Sequence, residues 1–209
     1  MHRRSPIPGY VALALAAVAL VSARSVAQQQ AGWVIDSAHS RAQFGVRHLM
    51  VSTVRGQLGR ITGTVKFEGN DVRTVLAEVT IDVTGIDTQE PKRDDHLRSA
   101  DFFDVAKFPT MTFKSRRAEP AGVGHFKLVG DLTMHGVTRE VTLDVEGPSP
   151  EIRQGNVRRI GAVATTTINR TDFGLNWNRA IETGGVVVAD LVSVTIDLEL
   201  TRTTTGPNQ

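Results

Sequence analysis

The sequence predicts an all-β fold, an antiparallel barrel of about eight strands that follow one another up and down. Three observations carry this expectation. Apolar and polar residues alternate at period two through most of the 209-residue chain, the mark of strands with one buried face. Two such segments are joined only by His135-Gly136, which fixes a hairpin and its register. The other connections are nearly all of the hairpin type, so neighbours in sequence become neighbours in the sheet. A sheet of this many long, twisted strands curls shut or splits in two, and closure removes its exposed edges.

The first residues read as an export signal. Arg3 and Arg4 precede an apolar run, Val11 to Val21, and Ser25-Val26-Ala27 offers small residues where a signal peptidase reads them. The run is too short for a bilayer span, which takes roughly 20 apolar residues. Residues 1–27 are therefore expected to be a signal peptide and residues 28–209 a single mature domain with no integral membrane segment. The leader holds Arg3, Arg4 and Arg24 and no acid, so of 24 basic and 22 acidic side chains the mature chain keeps 21 and 22. The formal charge of +2 thus belongs to the leader, and the mature chain has no basic footprint for nucleic acid. The lack of cysteine excludes thiol catalysis, cysteine metal sites and a cysteine-linked lipid anchor.

Trp33 and Ile35 enter the domain as packing residues. The first strand puts Ala42, Phe44, Val46 and His48 inward. The second changes phase, with Val54, Gly56 and Leu58 on one parity and Ile61, Val65 and Phe67 on the other, so a bulge is expected at Gly59-Arg60. The third alternates cleanly from Val75 to Val83. Pro91 then opens KRDDHLRSADFF, which reads as one or two helical turns because Pro suits a helix start. Phe102, Phe103 and Phe108 would be costly in an exposed loop, so this connection must fold over something apolar. Met111 and Phe113 mark the fourth strand.

The hairpin from Phe126 to Val145 forms the fifth and sixth strands, placing Met134 opposite Val137, Leu132 opposite Arg139 and Phe126 opposite Val145. Arg139 is the one charge on its apolar face. Gly147 to Asn156 reads as a polar loop, and the seventh strand runs from about Arg158 to Asn169 with Ile160, Ala162, Ala164 and Ile168 inward. Asn169 to Gly185 is irregular and holds Phe173, Leu175 and Trp177. Val192 to Leu200 alternates as the closing strand, and TRTTTGPNQ reads as a frayed tail.

Alternation alone leaves the inner face open. A membrane barrel would carry aromatic girdles at both interfaces, and the third, sixth and last strands have none, so the apolar face is read as interior. Counting hairpins then places the connections after strands one, three, five and seven at one end, together with His48 and Arg139. This describes a barrel with a single mouth, lidded by aromatic residues, holding one small or elongated apolar ligand. The residues expected to touch it are Phe44, Val46, His48, Leu58, Phe113, Phe126, Leu132, Met134 and Arg139, with Phe102, Phe103, Phe173 and Trp177 over the mouth. No nucleophile, base and orienter are set in the spacing that catalysis needs, so no catalytic residue, cofactor or metal is assigned. Asp94-Asp95-His96 has the residue types of a metal or acid–base cluster but also those of a solvated helical face.

Several segments resemble the YceI-like family. They are D-x-x-H-S-x-x-x-F-x-V-x-H-L (Asp36, His39, Ser40, Phe44, Val46, His48, Leu49), STVRGQLG, DDHLRSADFFDVAKFPTMTF, GDLTMHGVTREVTL, INRTDFGLNWN and VSVTIDLEL, in that order from Trp33 to Arg202. The resemblance implies an extended, lipocalin-like eight-stranded barrel with short helical segments in its long loops. It also implies a periplasmic protein enclosing a long amphiphile, a polyisoprenoid or another long-chain lipid, and is compatible with a homodimer. It brings no catalytic set. The alternatives are an enzyme acting on such a lipid at the mouth, or a stress or redox accessory protein. A head-group diphosphate would be met by Arg139 and His48 on this reading, since arginine suits phosphate.

Overall fold

Eight long antiparallel strands close on themselves in the computed structural model, which describes residues 32–180 and 186–203. The expected signal peptide and the last residues of the tail lie outside the described residues. The first long strand bends into β1 (Trp33–Ile35) and β2 (Arg41–His48), and the second into β3 (Ser52–Gln57) and β4 (Ile61–Glu68). Then follow β5 (Asp71–Asp82), β6 (Thr110–Pro120), β7 (His125–Met134) and β8 (Val137–Glu146). A short β9 (Ile152–Gln154), β10 (Val157–Asn169) and β11 (Val188–Thr203) complete the chain. Each long strand pairs with its sequence neighbour, and β11 returns to β1 and β2 to close the ring.

Both bends have local causes. Between β1 and β2 the hydroxyl of Ser40, 2 % exposed, accepts from the Glu199 amide and donates to the Glu199 carbonyl, replacing the ladder bonds that the bend removes. Between β3 and β4, where a bulge is expected, the strand breaks over residues 58–60. The Leu58 amide turns to the Ala42 carbonyl and the Arg60 carbonyl to the Asp82 amide. A Cβ at Gly59 would collide with the Asp82 carbonyl, so only glycine fits that crossing.

The β7–β8 hairpin has the predicted register, Met134↔Val137, Leu132↔Arg139 and Phe126↔Val145. Its turn residues His135 and Gly136 have φ of 51° and 75°, the doubly positive conformation that twists with the strands it joins. The helical stretch forms as α1 (Pro91–Arg98), with Glu90 accepting from the Lys92 amide at its start. Asp94 is buried and accepts from the amide and hydroxyl of Thr88, while Asp95 pairs with Arg98 and His96 with Asp101. The three side chains go to three separate partners, so they form no cluster.

Two segments differ from expectation. β9 lies in the stretch read as a polar loop; all three of its residues are exposed, so it carries no alternation to read. β11 exceeds Val192–Leu200 at both ends: its first residues pass a register shift between Val188 and Val192, and Thr201–Thr203, read as the start of a frayed tail, pair with β10. Closure is uneven around the ring. β10 pairs with β11 without interruption from Val157↔Thr203 to Asn169↔Leu191, but with β8 only from Val163↔Glu146 to Thr165↔Asp144. Above that point the Thr166 hydroxyl reaches the Thr142 carbonyl in place of a backbone bond.

Candidate functional site: the barrel interior and its two ends

The inward residues of seven strands leave a cavity along the barrel. Leu58, Ile61 and Val65 line it from one side, Val75 to Ile81 and Phe113 from the next, and Phe126, Leu128, Leu132, Val141 and Leu143 from the β7–β8 hairpin. Ala162, Ala164 and Ile168 of β10 and Val194 to Leu200 of β11 complete it. Ala162 and Ala164 of β10 add small side chains to a wall otherwise built mostly of larger ones. The cavity measures about 110 Å³, against the roughly 10–15 Å³ that one enclosed water needs. The lining is aliphatic and aromatic, with Thr112 and Thr166 its polar residues. Val194, Ile196 and Leu198 face this space and are only half-buried, as residues beside an internal surface must be.

The upper end, where the β2–β3, β5–β6, β7–β8 and β10–β11 connections meet, is a packed cap. Phe173 is 2 % exposed and joins Val83, Ile86 and Leu175 in the core. His135 of the hairpin turn reaches the Phe173 carbonyl through Nδ1 (3.3 Å) and meets the Phe108 ring at 4.9 Å. Trp177 meets His96 and Phe102 at ring distances of 4.9 and 5.2 Å. The cap hangs on Arg170, itself buried. Its guanidinium donates to the carbonyls of Leu175, Trp177, Val188 and Ala189 and to the Asp190 carboxylate. Burial pushes this guanidinium below its ordinary pKa, with the Asp190 charge opposing, but an arginine stays protonated.

The lower end is different. Trp33 is buried there and stacks on Phe67, and the Arg202 guanidinium lies over the Trp33 ring at 4.4 Å. Arg202 and Arg158 continue the inward parity of Leu200 and Ile160 and are direct partners across β10 and β11. Arg153 of β9 is in turn the direct partner of Arg158. Three arginines thus stand in a row across three strands. The acid among them is Glu151, 3.0 Å from Arg158 Nη1 and 3.7 Å from Arg202 Nη2. Among the described residues, Arg158 Nε is the buried side-chain nitrogen or oxygen without a hydrogen-bond partner.

On the outer surface of the same end, Arg159 bridges the carboxylates of Asp36 and Glu199. Asp36 also accepts from His39 Nδ1 (3.0 Å) and the Ala38 amide. The His39 hydrogen bond, then that amide, hold its carboxyl below the ordinary carboxylate value. Asp36, His39 and Glu199 have metal-ligand types close together, but Arg159 already supplies the cation between the two carboxylates.

The expected ligand-touching residues divide. Leu58, Phe113, Phe126 and Leu132 line the cavity together. Met134 is buried in the core above it. Phe44 rests against Gly56, where a Cβ would come within 2.7 Å of its ring, and Val46 and His48 sit on the upper arm of β2 between β3 and β11. These three are not among the residues lining the cavity. Phe102, Phe103, Phe173 and Trp177 belong to the cap. Arg139 departs from expectation: it has inward parity but is exposed and donates to the Thr138 carbonyl. The reason is the short β8–β10 ladder, which leaves the upper arm of β8 as an edge from which the side chain extends into water. Arg158 and Arg202 were not singled out from the sequence. Continuing the period-two count one step past Ile160 and Leu200 would have found them.

The chain matches the family model described as YceI-like domain over residues 33–200. It is 40 % identical over 158 residues to UPF0312 protein SAS2572 of Staphylococcus aureus, covering 75 % of this chain and 89 % of that one. Among solved structures, BcnA of Burkholderia cenocepacia aligns with a TM-score of 0.64 at 26 % identity, over 81 % of this chain and 99 % of that one. The Campylobacter jejuni YceI protein aligns with a TM-score of 0.65 at 26 % identity, over 76 % and 90 %. A domain of Saccharophagus degradans described as polyisoprenoid binding shares the fold, with a TM-score of 0.57 at 16 % identity over 81 % and 97 %.

Proposed function

The chain belongs to the YceI-like family, and from that premise we propose that it is an exported binding protein whose barrel encloses the tail of one long-chain amphiphile. The observation that carries the reading is the cavity, which runs along the barrel and has Thr112 and Thr166 as the polar residues of an otherwise aliphatic and aromatic wall. Enclosing a tail there releases about 0.8 kcal/mol per buried CH₂, so affinity accumulates with length and needs few specific contacts. A wall of this kind offers no acid–base pair, which favours carriage over catalysis. The fold shared with a polyisoprenoid-binding domain makes an isoprenoid tail the natural first candidate. Export rests on the basic and apolar leader with its small-residue cleavage site. Among the described residues no helix is long and apolar enough to cross a membrane.

Mass spectrometry of the organic extract of natively purified protein tests this. One amphiphile per chain is expected, and it should disappear in Ala164→Phe, which pushes a ring into the middle of the cavity. Overpacking of this kind costs about 1–3 kcal/mol of stability, so the variant's fold is checked by its far-ultraviolet spectrum. An extract with no stoichiometric amphiphile, together with no uptake of added long-chain lipid, would overturn the reading.

A further inference from the structure

We propose that the lower end of the barrel is an anion site, built to hold a phosphate or carboxylate group, and that it receives the head of the amphiphile whose tail fills the cavity. The inference rests on the carrier reading for the tail but on separate residues for the head. Arg153, Arg158 and Arg202 are direct cross-strand partners, so their side chains share one face of three adjacent strands. Like charges placed directly opposite one another are unfavourable, and three in a row need a counter-charge. The Glu151 carboxylate supplies one, shared between Arg158 and Arg202. Arg153 donates to the Gly155 carbonyl and takes no part in that pairing.

The donors are therefore in excess. The row holds three guanidinium groups and one carboxylate that pairs with two of them, and among the described residues Arg158 Nε is buried without an acceptor. Outward Arg159, next to Arg158 in sequence, has by contrast two carboxylates to itself. A guanidinium presents a planar fork that matches two oxygens of a phosphate or carboxylate. The Arg202 fork is also held in place by the Trp33 ring beneath it. Side-chain exposures of 33 % for Arg158 and 15 % for Arg202 leave the row reachable yet largely out of bulk water, where such bonds are strongest.

Position ties this row to the cavity. Leu200, the lowest cavity-lining residue of β11, is two residues from Arg202 on the same face, and Ala162 stands in the same relation to Ile160 and then Arg158 on β10. A tail lying along Val194 to Leu200 would therefore bring its head to the arginines. Glu151 then acts as a stand-in that the ligand displaces.

The test compares dodecyl phosphate, dodecanol and inorganic phosphate on the full mature chain, read by Trp33 emission in a Trp177→Phe background and by calorimetry. Dodecyl phosphate should bind at least about tenfold tighter than dodecanol, a difference expected of charge-assisted bonds to a partly desolvated site. Arg202→Leu and Arg158→Leu should each remove most of that preference while leaving dodecanol affinity unchanged, and Glu151→Gln should tighten dodecyl phosphate. Thermal unfolding establishes that each variant is folded, and Arg202→Lys, which keeps the charge but loses the fork, should fall between. Equal binding of the two amphiphiles, or a preference that survives both arginine changes, overturns the proposal. If neither amphiphile binds, the carrier reading fails. Inorganic phosphate binding that depends on Arg158 and Arg202 would then still support an anion site, and its absence would sink that too.

Discussion

The two ends of the barrel use arginine in opposite ways. At the upper end Arg170 is buried and fully occupied, its nitrogens spent on the carbonyls of Leu175, Trp177, Val188 and Ala189 and on the Asp190 carboxylate. At the lower end Arg158 and Arg202 share the Glu151 carboxylate, Arg153 beside them turns to the Gly155 carbonyl, and among the described residues Arg158 Nε is a buried nitrogen without an acceptor. A buried cation with every donor satisfied ties structure together, because removing it leaves several acceptors unpaired at once. A row of cations short of acceptors costs stability, and is what the proposed anion site would require. The difference separates a cap that closes from a foot that receives, although both ends look polar in a list of residues.

The sharpest way to break this comparison is to remove Arg170. Arg170→Leu should cost about 3–5 kcal/mol, the range for taking one partner from a buried charged network. A urea titration followed by tryptophan emission would read it as a lower midpoint, since Trp177 sits in the cap and its carbonyl is one of the Arg170 acceptors. A loss below about 1 kcal/mol, the value of an ordinary exposed pair, would mean that the cap is held by Phe173 and Leu175 packing alone.

Arg158→Leu sharpens the contrast from the other side. It relieves the like-charge contacts with Arg153 and Arg202 and removes the unpaired Nε, while Glu151 keeps Arg202. Stability should stay within about 1 kcal/mol of the parent or rise, as when an under-satisfied, partly buried cation gives way to an apolar side chain. The same titration measures it. A cost matching that of Arg170→Leu would erase the distinction between the two ends and make the row a structural network.

The barrel was legible in the sequence because its signal is repeated. Period-two alternation in strand after strand, a two-residue turn that agrees with the apolar register, and a glycine where the phase changes all point to the same sheet. The cavity walls at Leu58, Phe113, Phe126 and Leu132 follow from that pattern. The ends do not, since an inward-parity residue near a strand terminus faces the interior only if its strand is still paired there. Arg139 and Arg202 have the same parity argument. Arg139 is exposed because the β8–β10 ladder has already stopped below it, whereas Arg202 stays inside because β10 runs beside it to the last pair. Ladder length is a property of two strands, and no single stretch of sequence carries it. β9 was missed for a related reason, being a strand with no buried side.

Arg159 gives the comparison its finest test, because it adjoins Arg158 and differs only in the face it occupies. Its carboxylate partners include Asp36, whose own carboxyl is held below the ordinary 3.8 chiefly by the hydrogen bond from His39. A carboxyl with a folded pKa below its unfolded value contributes stability that is fully present above the unfolded pKa and is lost as pH falls through the folded one. Asp36→Asn keeps an oxygen for the Ala38 amide but loses the charge toward His39 and Arg159. The variant should therefore be slightly less stable than the parent at pH 5 to 7, and the gap should narrow below about pH 4 and close once Asp36 is protonated in both states. Urea midpoints for both proteins across that range would show it. The effect is the smallest of the three because Asp36 is at the surface, where water and salt screen the pair. A gap that persists unchanged at pH 2 would mean the aspartate matters through its shape and hydrogen bonds rather than its charge. The balanced arginine outside would then owe its stillness to geometry, leaving charge excess as the distinguishing mark of the row inside.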